Sequence, residues 1–173
     1  MALKNKYCIN LLSFNLLDSD SKRIYALKRH GTVFKEVTCK FIVFLDQDFK
    51  SKLNGDIGFF YLSAFSKEDQ PLIFEQIDFD LTRLPKSGLV EIAFKLNIPT
   101  HLDNSVFPDK KVVSYPKGKV KLQLSFSIRN VGDSSFHQDL EEGTFISTVI
   151  PIKEVDPNGW SFAITWGKNN KPK

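Results

Sequence analysis

One stretch constrains the fold more than any other. From Val120 to Ile128 every even position is apolar (Val120, Leu122, Leu124, Phe126, Ile128). From Lys119 to Arg129 every odd position is polar or charged (Lys119, Lys121, Gln123, Ser125, Ser127, Arg129). A period of two sustained this long describes a strand with one face on a core and the other in water or on a partner. Wound as a helix, the same residues would scatter their apolar groups around the axis.

The same period recurs along the chain. Thr32 to Leu45 reads as one long strand with Val37, Cys39, Phe41, Val43 and Leu45 on one face. Ile42 and Phe44 make its second half apolar on both faces, so that half is expected to be central and covered. Ile57 to Phe65 is a second doubly apolar strand, in which Gly58 marks a bulge or a close backbone approach. Leu72 to Leu84 alternates around Ile73, Ile77, Phe79 and Leu81, with Glu75, Asp78 and Asp80 interleaved. Leu89 to Ile98 places Val90, Ile92, Phe94, Leu96 and Ile98 inward until Pro99 stops it. Phe145 to Ile152 reads as a strand ending near Pro151, and Trp160, Phe162, Ile164 and Trp166 alternate in a last one.

Residues 7–17 fit either a strand or a short helix. A short helix is expected up to Glu142, N-capped by Asp133, with Phe136 and Leu140 one turn apart. A single helical turn fits 46–53, and 99–118 form the longest irregular segment. Seven or eight strands separated by turn signals, with no long helix, place the chain in a β-rich α+β class. The expected architecture is a mostly antiparallel sheet, sandwiched or curled, with one or two short helices. At 173 residues it reads as a single domain over 1–173, with flexible ends at 1–6 and 167–173. Sixteen Phe against one Met supply aromatic mass suited to such a core.

No pattern of catalytic chemistry emerges. His30, His101 and His137 are far apart and none has metal-ligand spacing. No C-x-x-C, phosphate-binding glycine loop or G-x-S-x-G motif occurs. Cys8 and Cys39 read as free thiols in a reducing compartment. Leu11-Leu12 and Leu16-Leu17 are broken by Ser13, Asn15 and Asp18, so the start does not read as a secretory leader. No run reaches the roughly 20 apolar residues of a membrane span. The expectation is a non-enzymatic protein with no catalytic residue, metal, cofactor or small-molecule substrate.

Charge says more than motif. The net charge is +4, but it is distributed in blocks. Residues 1–40 carry eight Lys or Arg against three Asp or Glu, and 41–98 carry six against nine. Residues 99–129 carry six against two, and 130–173 carry four against six. Alternating blocks favour attraction between copies and toward polyanions. Lys110, Lys111, Lys117, Lys119, Lys121 and Arg129 form the main candidate site for nucleic acid or an anionic surface, the last three sharing the outward face of the alternating strand. Lys22, Arg23, Lys28 and Arg29 form a second basic cluster, expected in an exposed turn.

Residues 115–136 read Tyr-Pro-Lys-Gly-Lys-Val-Lys-Leu-Gln-Leu-Ser-Phe-Ser-Ile, then a polar turn and Ser-Ser-Phe. This pattern resembles the long strand of rhabdovirus matrix proteins, where an aromatic-x-Lys-Gly opening also leads into an alternating strand and an acidic turn. Size and basicity resemble the short matrix proteins of plant-infecting rhabdoviruses. There is no Pro-Pro-x-Tyr motif, so a host budding contact is not carried over. The resemblance implies a structural protein of the virion and host cytoplasm. Such a protein associates with itself, condenses a viral nucleocapsid and touches an anionic inner membrane leaflet. The alternative is an RNA-binding viral accessory protein: a silencing suppressor, movement protein or small capsid protein.

Overall fold

In the computed structural model the described residues are 4–30, 33–46, 49, 57–66, 71–96 and 118–155. Among the described residues ten strands run in chain order: β1 (Asn10–Leu17), β2 (Arg23–Ile24), β3 (Leu27–His30), β4 (Val33–Phe34), β5 (Val37–Phe44), β6 (Ile57–Phe65), β7 (Pro71–Asp80), β8 (Leu89–Leu96), β9 (Lys119–Ser127) and β10 (Thr144–Glu154). Helix α1 (Phe136–Glu142) precedes the last strand. The strands form a four-stranded sheet, β2-β1-β5-β8, and a six-stranded sheet, β4-β3-β10-β9-β6-β7. Every pairing is antiparallel except β3 with β10. The protein is therefore β-rich, as its periodicity predicts.

The two sheets share one core. β8 shows the pattern in its simplest form, with Val90, Ile92, Phe94 and Leu96 buried and the residues between them exposed. Phe41 of β5 meets Phe60 of β6 edge-on at 5.8 Å and Phe145 of β10 at 5.9 Å, joining the sheets face to face. Phe126 of β9 packs edge-on to Phe60 at 5.0 Å. A Cβ on Gly58 would stand 2.6 Å from Phe126 Cε2, so this glycine makes room for a ring and is not a bulge.

Several expectations need correction. The stretch from Thr32 is not one strand: β4 belongs to the six-stranded sheet and β5 to the other, with the change made at Lys35–Glu36. A matching crossing at Tyr25–Ala26 separates β2 from β3. These crossings keep the alternation nearly in step, which hides them in the sequence. The second face of β5 is open rather than covered: Ile42 is half-buried and Phe44 exposed. Helix α1 begins after Ser135, not Asp133, whose carboxylate instead accepts from the Asn130 N–H. β10 runs through Pro151 to Glu154. Beyond that proline it pairs with β3 at Ile152–Glu154. Residues 7–17 resolve as strand from Asn10 on. Most of 46–53, most of 99–118 and the strand at 160–166 lie outside the described residues, as do 1–3 and 167–173.

Candidate anion-binding face

The outer face of the six-stranded sheet is divided into two halves. Ser125 and Ser127 occupy outward positions of β9, yet both are buried, because α1 lies over them. Phe136 of α1 packs edge-on to Tyr61 of β6 at 5.3 Å, forming a small second cluster with Phe59. Gly143, just after the helix, lets the chain touch β9: the Phe126 N–H donates to its carbonyl at 3.1 Å, and no Cβ would fit there. Half of the polar face that the alternation assigns to water or a partner is therefore used internally.

Asp139 is the anchor of this covered half. It is 2% exposed. Its carboxylate accepts from Lys6 Nζ at 2.7 Å, from Tyr7 OH at 2.7 Å, and from Ser127 Oγ. Burial pushes this carboxyl up, but hydrogen bonds from Lys6, Ser127 and Tyr7, with the Lys6 charge, outweigh it and hold it below the usual value. Burial and the neighbouring carboxylate push the Tyr7 phenol up. Lys6 also meets Glu142 at 3.4 Å, and the N–H groups of Asn5 and Lys6 donate to the carbonyls of Thr144 and Glu142. The N-terminal residues are thus strapped over the helix.

The other half of the face is open and basic. Strand register decides its make-up. Lys119 of β9 lies opposite Pro151 of β10, Lys121 opposite Val149, and Gln123 opposite Ser147. Lys153, on the same face two residues after Pro151, lies beside Lys28 of β3. Neighbouring strands are about 4.8 Å apart, so lysines from three strands gather on one patch. The outward positions of this half on β9 and β10 are Lys119, Lys121, Gln123, Ser147, Val149, Pro151 and Lys153, and none is acidic. Lys28 also borders a depression lined by Asp18, Asp20, Lys35 and Glu36, which balances part of its charge. At the opposite edge, β7 carries exposed Glu75 and Asp78.

The candidate residues therefore separate. Lys119, Lys121 and Lys28 come together. Lys110, Lys111 and Lys117 lie outside the described residues. Arg129 does not share their face: β9 ends at Ser127, and Arg129 is exposed in the following bend at the helix-covered end. Its N–H donates to Ser127 Oγ at 2.9 Å, and its carbonyl accepts from Tyr61 OH at 3.0 Å. Arg29 is not in an exposed turn. It is buried on the core side of β3, ion-paired with Glu154 and 5.8 Å from the Phe34 ring. Lys22 sits in a turn closed by Asp18, and Arg23 belongs to the four-stranded sheet. Lys153 is not among the sequence candidates because Pro151 reads as the end of its strand; the alternation of Ile150 and Ile152 is the signal that the strand continues.

Between α1 and the open half runs a groove of about 440 Å³. Phe65, Lys121, Gln123 and Ser147 line the sheet side and His137, Leu140 and Glu141 the helix side, with Lys4 completing the lining. Lys121 Nζ lies 5.7 Å from the Phe65 ring centre. Among the described residues no group of three His, Cys, Asp or Glu side chains is placed to hold a metal, and no helix is long and apolar enough to cross a membrane.

No family model matches this chain, and no curated protein does. Among solved structures it is similar to an immunoglobulin-like protein from Pseudomonas aeruginosa. The identity is 11% and the TM-score 0.34, over 84% of this chain and 96% of that one.

Proposed function

We propose that this protein works by contact rather than catalysis, as a matrix-type viral structural protein that associates with itself and condenses a nucleocapsid. The observation carrying this reading is the convergence of Lys119, Lys121, Lys153 and Lys28 from three strands onto one half-face, with no acid among the outward positions of β9 and β10 there. A phosphate backbone crossing that patch would release its counterions, the dominant and sequence-independent term in polyanion binding. The acidic β7 edge offers a second copy a complementary surface, consistent with salt-sensitive self-association. A basic patch of this kind also suits contact with an anionic leaflet.

The test is binding of the full chain to single-stranded RNA across a salt series, with sedimentation at several protein concentrations. Affinity should fall steeply with salt. Lys119→Glu with Lys153→Glu should flatten the log–log slope by roughly 0.7 per lost phosphate contact. A chain that stays monomeric in low salt and binds RNA with no salt dependence would sink the proposal.

A further inference from the structure

The groove beside the basic patch differs from the patch in kind. A plain polyanion needs cations alone, whereas this groove adds an aromatic wall and a side-chain amide. Phe65 is half-buried at the end of β6, and its strand partner is Lys121. Gln123, half-buried, lies in register with Ser63, two positions further along the same face. Across from them stand His137 and Leu140 of α1. Lys4 completes the lining, held to Glu141 only by an exposed pair at 3.8 Å, which a phosphate can replace at little cost. The volume falls within the range of pockets that enclose small ligands, about 300–1,000 Å³.

The geometry points to a site for one unstacked nucleotide of a single-stranded RNA. The base lies against Phe65 and meets the amide of Gln123 along its edge. The flanking phosphates meet Lys4, Lys121 and His137. Recognition of single strands rests on this combination, because an unpaired base offers both a face to stack and an edge to bond. A duplex keeps its bases inside and presents only phosphates, which the neighbouring lysine row already serves. This inference rests on the reading of that row as a polyanion surface. It adds that the polyanion is single-stranded at the point of contact.

The test uses the full chain with fluorescein-labelled single-stranded oligoadenylate and a duplex RNA of equal phosphate number. The single strand should bind about tenfold more tightly than the duplex. Phe65→Leu should remove about that tenfold for the single strand, since it deletes the ring on which the base stacks. It should leave the duplex affinity and the salt slope unchanged. Gln123→Ala, at an outward polar position with little part in the core, should weaken the single strand several-fold and serves as a second variant should the Phe65 change disturb folding. Equal binding of the two RNAs, with neither variant changing the single-strand affinity, would overturn the groove and leave the lysine row standing. If neither RNA binds even in low salt, the reading beneath fails and the groove fails with it.

Discussion

Asp139→Asn should loosen the covered half of the sheet without disturbing the open one. The amide keeps the shape of the side chain and removes its charge. Three donors converge on the carboxylate: Lys6 Nζ, Tyr7 OH and Ser127 Oγ. An amide offers one neutral acceptor oxygen and turns an NH2 toward Ser127 Oγ; Tyr7 OH, which lies 2.7 Å from both carboxylate oxygens, keeps an acceptor but loses the charge that strengthens the bond. Hydrogen bonds to a charged group contribute about 1.5–3 kcal/mol and neutral ones about 0.5–1.5, so each bond that loses its charge costs about 1 kcal/mol. The Lys6 side chain is 45% exposed, so water replaces most of what it loses, about 0–1 kcal/mol. Ser127 Oγ retains the Arg129 carbonyl at 3.3 Å and Tyr7 OH retains the amide oxygen, so each loses charge assistance alone, about 1 kcal/mol apiece. The sum is about 2–3 kcal/mol, or roughly 4–12 °C in Tm for a chain of this size.

The pH dependence has a definite sign. The folded-state Asp139 carboxyl titrates below its ordinary value of 3.8. Its ionisation therefore stabilises the fold fully above that ordinary value, and the stabilisation is lost as pH falls through the folded-state value. Urea unfolding followed by circular dichroism, near pH 7 and again at about pH 3, separates the contributions. The wild type should lose stability between the two, and Asp139→Asn should lose less, so the gap narrows in acid. A variant within about 0.5 kcal/mol of wild type at neutral pH, the usual range for an ordinary surface change, would refute the reasoning. So would a gap that does not narrow.

Two further outcomes follow from packing. Gly58→Ala should cost about 1–3 kcal/mol in urea unfolding, because Phe126 is fully buried and wedged edge-on against Phe60, Phe49 and Tyr7; an unchanged midpoint would mean the ring is free to move. A thiol reagent should modify exposed Cys8 promptly in the native protein and reach Cys39 only on unfolding. Cys39 is 0% exposed and burial pushes its thiol up to about 12; prompt modification of both would contradict that burial.

What the chain spells out locally, its sequence reveals well. β8 and the inward face of β9 carry their burial in plain alternation, since a strand covered on one face needs only period two. Gly58 was legible as a special position, and its reason was not, because Phe126 reaches it from a different strand. Asp139 gave no signal at all. A carboxylate on a short helix looks like any solvated acid until Lys6, Tyr7 and Ser127 are brought to it from two distant segments.

The basic face shows why the site was harder to read than the fold. Clusters close in sequence scatter whenever the period of two turns neighbours to opposite sides, which is how Arg29 goes to Glu154 on the core side while Lys28 faces outward beside Lys153. Clusters on one strand also fail where another element covers part of it, as α1 does over Ser125 and Ser127, leaving Arg129 beyond the strand at the wrong end. Positive charge gathers here through pairing between strands: the parallel contact of β3 with β10 adds Lys28 and Lys153 to the pair on β9. That pairing begins just after Pro151, the residue lacking the N–H a continued ladder would use. A residue that reads as the end of a strand is thus the point at which the basic surface is extended, and only the register of the third strand reveals it.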